Sequence, residues 1–238
     1  MSTHSALNLS KTMTKGLALT AALGFLSGGL IGVLASRALS ATKTELTIPN
    51  TTATDTPGNT RTSGTATSDA FTVGQTSLLA THVQTLQGKS AVLAKGSRGT
   101  VVMAMASWCR FCGYEDKWVL PQLVKTSGVI VDIVDVSPQG GIADPGPETP
   151  LFSGHDGHGG ALTLSGMESI MHQYAATYGI LNAPNIHLYI APSATQTAWN
   201  IASFPTLAFL NAQGTVEVVP QGAQTLSQAQ YDLQRAIR

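Results

Sequence analysis

At 238 residues the chain has room for one core-forming domain with appended segments. Charged residues are only 11%, and 13 basic against 13 acidic side chains leave no net charge, so no basic stripe marks a nucleic-acid partner. The chain has only two cysteines, too few for a disulfide framework and enough for one reactive pair.

Residues 1 to 15 are polar and carry Lys11 and Lys15, and no charged residue follows from Gly16 to Ser36. Read as a helix, that run is about 30 Å long, enough to cross a hydrocarbon core. Basic residues ahead of it predict a single-pass anchor with the N-terminus in the cytoplasm and the C-terminal part outside. The competing reading is a cleaved signal peptide, since small residues around Ala35 and Ala38 offer cleavage positions. Either reading exports the rest of the chain. Gly24, Gly28 and Gly32 would form one smooth helix stripe suited to a dimer. Residues 37 to 75 are rich in Thr and Ser and nearly free of large apolar side chains, which predicts a disordered linker.

Residues 76 to 88 have helical spacing, with Leu78, Leu79, Val83 and Leu86 on one side. Ala91 to Ala94 suggests a short strand, and Gly99 to Ala106 a central strand apolar on both faces. Trp108-Cys109-Arg110-Phe111-Cys112 follows directly. Two cysteines three apart at a helix start can form a disulfide. The free N–H groups and dipole of that helix favour the first as thiolate. Cys-x-x-Cys is also half a zinc site, but no second pair is present and the histidines are scattered. The helix carries Pro121, where a kink is expected. Val129 to Val136 is β-branched and strand-like.

Residues 138 to 165 are rich in Gly and Pro and predict a mobile surface loop. His155 and His158, with Asp156 between them, have a metal-ligand spacing, but the flanking glycines make such a site floppy. Met167 to Tyr178 reads as a helix and Leu181 to Ala202 as an insertion containing a strand-like Ile186–Ile190. Residues 204 to 210 and 215 to 219 form a hairpin. Leu226 to Ile237 is the last helix, with Leu226, Tyr231, Leu233 and Ile237 toward the core.

Three segments together resemble the thioredoxin superfamily over roughly residues 76 to 238. They are the Trp-Cys-x-x-Cys motif after an apolar strand, Ser203-Phe204-Pro205-Thr206-Leu207, and Phe209 to Val216. The resemblance implies a thioredoxin-like three-layer α/β/α fold with an insertion before the cis-Pro strand, beyond the N-terminal transmembrane helix and linker. It also implies thiol:disulfide oxidoreductase activity, as in bacterial envelope reductants, oxidases, isomerases and accessory proteins of conjugative transfer. Cys109 would be an exposed nucleophile, Cys112 would resolve the mixed disulfide, and Pro205, if cis, would present the preceding backbone to an extended substrate. No cofactor is implied beyond the redox-active Cys109–Cys112 disulfide, and no metal.

Trp108, Phe111 and Phe204 would shape the site, and Arg110 would favour the thiolate by its charge. The family's buried aspartate corresponds to Met103, which leaves Asp132 and Glu115 as candidate substitute proton acceptors, with a solvated surface position as the default reading for both. The implied partners are cysteine-containing exported proteins and a membrane or periplasmic redox partner. The alternative function is a non-catalytic assembly factor of an envelope or conjugative secretion complex, holding a partner in the Pro205 groove.

Overall fold

The structure, a computed structural model, describes residues 69–191 and 193–238. The expected span at 16–36, its flank 1–15, Gly24, Gly28, Gly32 and linker residues 37–68 lie outside the described residues. Among the described residues no helix is long and apolar enough to cross a membrane.

Seven strands form one sheet: β1 (His82–Thr85), β2 (Ser90–Val92), β3 (Gly99–Met105), β4 (Val129–Asp135), β5 (Ile186–Ile190), β6 (Thr206–Asn211) and β7 (Val216–Val218). Their spatial order is β2-β1-β5-β4-β3-β6-β7. Strands β3, β4 and β5 are parallel, and β6 returns antiparallel beside β3. Every residue of β3 is buried, as its two-faced apolar run predicts for a strand covered on both sides.

The helices are α1 (Arg110–Tyr114), continued by a π-turn segment Glu115–Val119 into α2 (Leu120–Leu123), then α3 (Leu164–Tyr178), α4 (Ser193–Ala198) and α5 (Leu226–Ala236). The connections from β3 to β4 and from β4 to β5 join parallel strands and step the same way across the sheet. Right-handed crossover therefore puts α1–α2 and α3 on one face. There Met103, Met105 and Ile133 pack with Leu120, Met171, Tyr174 and Leu233. The other face, with Val102, Ala104, Val134 and Ala208, is covered by Leu78, Trp199 and Ile201. Three layers result, unequally thick.

Pro121 lacks an N–H and cannot continue an α ladder. The bonding shifts one residue early, so that Leu120 N–H donates to the Glu115 carbonyl, five residues back. The kink expected at the proline is thus a π segment just before it.

Four expectations need correction. Residues 76–88 are not a helix: after a single 3-10 turn at Leu78–Ala80 the chain enters β1. Its backbone pairs with β2 on one side and β5 on the other, and the alternating Thr81, Val83 and Thr85 suit an extended chain better than a helix. Residues 70–75, read as the end of the linker, are packed: Ala70 is buried, Phe71 lies 5.0 Å from the Trp199 ring, and Gly74 N–H donates to Val216. Tyr231 is 62% exposed rather than in the core, because Ala229, Leu233 and Ala236 supply the buried stripe of α5. Residues 138–163 are not free, but are bonded to Ser107, Trp108 and Arg110 around the motif.

The insertion before the cis-Pro strand is present, and it is structural: β5 sits inside the sheet, with Ile190 fully buried. Ile190→Ala should therefore cost about 2–5 kcal/mol in urea unfolding. A loss below about 1 kcal/mol would show that the insertion is only appended to the core.

Candidate active site

The buried run of β3 ends at Met105 and delivers Cys109 to the start of α1 as its N-cap, with φ −85° and ψ 117°. Its sulfur accepts the Cys112 N–H at 3.4 Å, using one of the donors that a helix start leaves free. From the opposite side the Cys109 thiol donates to the Phe204 carbonyl at 3.7 Å, and the Phe204–Pro205 bond is cis. The dithiol and the residue before Pro205, 95 positions apart, therefore face each other. The fold is thioredoxin-like.

No family model matches this sequence, and no curated protein does. Among solved structures, a thioredoxin-like protein from Aeropyrum pernix is similar at 16% identity, covering 65% of this chain and 88% of that one, with a TM-score of 0.45. A secreted Mycobacterium tuberculosis disulfide oxidoreductase, described as homologous to E. coli DsbE, is similar at 14% identity over 67% and 98% of the two chains, at 0.45. StoA from Bacillus subtilis follows at 13% identity over 63% and 93%, at 0.42. Identities this low transfer no residue's role.

The two thiols are driven apart electrostatically. The Cys109 pKa is lowered below the usual 9.0, chiefly by a hydrogen bond from the Cys112 side chain, against desolvation. Cys112 is raised well above that value, chiefly by burial and then by its hydrogen bond to Cys109. Cys109 is only 3% exposed, whereas the sequence suggested an exposed nucleophile. The 138–163 loop lies against the residues on either side of Cys109. Gly157 N–H donates to the Trp108 carbonyl at 2.9 Å, and Asp156 accepts the Arg110 N–H at 2.9 Å. The His158 ring lies 4.3 Å from the Trp108 ring.

Trp108 is fixed further by donating its indole N–H to Ser137 at 3.0 Å, and it meets the edge of Phe204 at 6.0 Å. Arg110 does not act as expected. Its guanidinium turns away onto the Phe111 ring at 4.7 Å and donates to the Gly154 carbonyl at 3.3 Å. The Cys109 shift is set chiefly by Cys112 rather than by this charge.

Neither substitute acid lies at the surface; both are fully buried. Asp132 shares its sheet face with Val102 and Val134, away from the dithiol, accepting from Ala94 N–H at 2.7 Å and contacting His187 Nδ1 at 2.9 Å. Burial raises its pKa and His187 opposes the rise. Its work is to pin the β2 exit to the sheet. Glu115 is on the dithiol face, accepts from Gln224 N–H, and is raised to about 8 by burial, with the Asp116 charge adding.

Sequence reasoning passed over Asp116. It is fully buried four residues after Cys112, accepts the Tyr174 hydroxyl at 2.5 Å, and its Oδ1 has no partner among the described residues. Burial raises it to about 8, and the Cys109 charge adds to the rise. Asp116 in turn raises Cys112. The i, i+4 spacing from a candidate resolving cysteine was the available signal. His155 and His158 do not converge: His155 pairs by backbone with Asp144, and His158 Nε2 stands 4.0 Å from Asp156. No three metal-ligating side chains gather among the described residues.

Iodoacetamide should label Cys109 with a pH midpoint below 9.0 and leave Cys112 unlabelled until the chain is unfolded, as read by mass spectrometry. Equal labelling of both would contradict the assignment. Glu115 and Asp116 bind protons more tightly folded (about 8) than unfolded (4.5 and 3.8), so stability falls as pH rises through that window. Urea midpoints should thus be higher at pH 5 than at pH 8, by less in Asp116→Asn; an unchanged midpoint would refute the burial of these acids as neutral groups.

Proposed function

We propose that the chain is a thiol:disulfide oxidoreductase acting on cysteine-containing exported proteins. The observation that carries this is the Cys109 sulfur held between the Cys112 N–H and the Phe204 carbonyl before a cis proline. In the reducing direction, the Cys109 thiolate attacks one client sulfur in line, forming a mixed disulfide and releasing the other as a thiolate. The Asp116 carboxylate then takes the Cys112 proton, and the new thiolate attacks the Cys109 sulfur. The client leaves fully reduced, two electrons richer, and the chain keeps a Cys109–Cys112 disulfide. Oxidation of a client is the same sequence reversed.

The charge-free run at 16–36 supports placing this domain outside the cytoplasm, tethered to the inner membrane and supplied by a membrane or periplasmic redox partner. Pairing through Gly24, Gly28 and Gly32 belongs to the same proposal.

Cys112→Ala, unable to resolve, should accumulate mixed disulfides with exported proteins, and Cys109→Ala should accumulate none and lose insulin reduction. Full biological function in the double cysteine variant would instead favour the assembly-factor reading. Asp116 must ionise to accept a proton, so mixed-disulfide resolution should rise with pH up to about 8 and then level. Asp116→Asn should lose that limb and resolve about 10²-fold or more slowly. An unaltered pH profile in Asp116→Asn would remove it from the mechanism.

A further inference from the structure

The 138–163 loop has a firmly built base. Its strands approach closely: Asp144 and His155 exchange backbone bonds, and Gly159 N–H donates to Gly140. A Cβ on Gly141, Gly154 or Gly157 would run into backbone of the facing segment. These glycines, which looked like a source of floppiness, are where two backbones need to touch. Tyr178 clamps the base by donating to the Ala143 carbonyl at 2.6 Å, and Ala143 N–H donates to Ser107 at 3.0 Å.

Asp156 and His158, carried on this paired segment, reach out of it toward the start of α1. The segment meets the nucleophile's surroundings through the Arg110–Asp156 and Gly157–Trp108 bonds, the Arg110 guanidinium on Gly154, and the His158 ring on Trp108. Asp156 and His158 side chains are themselves 38% and 52% exposed. In-line attack needs a client sulfur to reach Cys109, which is almost fully buried and whose two chain neighbours both bond to this segment.

We propose that the loop segment carrying Asp156 and His158 is a latch beside Cys109, tied to the nucleophile's helix by Asp156, and that a client must displace it to react. The inference rests on the oxidoreductase reading and names the client class. Displacement uncovers the Trp108 carbonyl and the Arg110 N–H. An extended, unfolded segment around the client cysteine can pair with both through its own backbone, and a folded surface disulfide cannot. Asp156 is a positioning residue in this scheme.

The groups facing the Cys109 thiol are Cys112 and Asp116 from its own helix, Tyr178 from α3, the Phe204 carbonyl, and Asp156 from the latch. His158 stands behind Trp108. Of these, the latch's contribution is negative charge, and Asp156 opposes the Cys109 thiolate. A docked latch and an ionised Cys109 therefore disfavour each other, and release of the latch also frees the nucleophile.

The test is Cys109 modification in the full chain from pH 5 to 9, with iodoacetamide and with a bulky aromatic disulfide reagent. Asp156→Ala removes bond and charge. Its rate with the bulky reagent on the high-pH plateau should rise about tenfold or more, the factor that loss of one charge-assisted hydrogen bond makes in an open population. Asp156→Asn keeps an acceptor, so its titration midpoint should fall while its plateau stays near that of the parent. Amide exchange at Arg110 and Gly157 should quicken in Asp156→Ala while β3 stays protected. A bulky-reagent plateau within about twofold of the parent in Asp156→Ala, with parent-like exchange at both amides, overturns the latch. These readouts need no client turnover. Absence of any mixed disulfide in Cys112→Ala would instead strike the oxidoreductase reading.

Discussion

A sulfur that must ionise is held where water scarcely reaches it. That constraint organises the rest of the site. Cys109 is almost fully covered, so the stabilisation that solvent would give its charge has to come from fixed donors. The Cys112 N–H and the Cys112 thiol supply it, and both depend on the chain turning into a helix at Cys109. Burial pushes Cys112 up as well, and there no comparable set of donors outweighs it. One thiol shifted down and one shifted up follow from a single geometric step between strand and helix.

The helix behind them is shaped by Pro121. Widening to a π segment at Glu115–Val119 accompanies two consecutive acids, Glu115 and Asp116, both fully buried. In a regular helix adjacent residues point about 100° apart, so burying both beside one core is unusual, and π segments gather at functional sites. Each carboxyl is pushed to about 8, which leaves it neutral in the resting site and able to exchange a proton near working pH.

Much of this was legible from residues alone. The two-faced apolar run of β3 announced a buried central strand, and the β-branched run at 129–136 announced β4. The motif at 108–112 and the Phe204–Pro205 segment were recognisable at a distance and meet as expected. What stayed hidden depended on partners remote in sequence. The Val83 region looked helical until its pairing with β2 and β5 was seen. Asp132 looked like a relay until its contacts with His187 and Ala94 placed it on the opposite face. Glycines at 141, 154 and 157 looked loose because close backbone approach leaves no mark in a single sequence.

The most direct test is equilibration of the full chain with glutathione buffers of graded ratio, quenched in acid and weighed. The account predicts one two-electron transition, a loss of two hydrogens per chain confined to Cys109 and Cys112, at a potential within the roughly −270 to −120 mV that such dithiols span. Persistence of both thiols across that range, or single glutathione adducts with no internal disulfide, would contradict it.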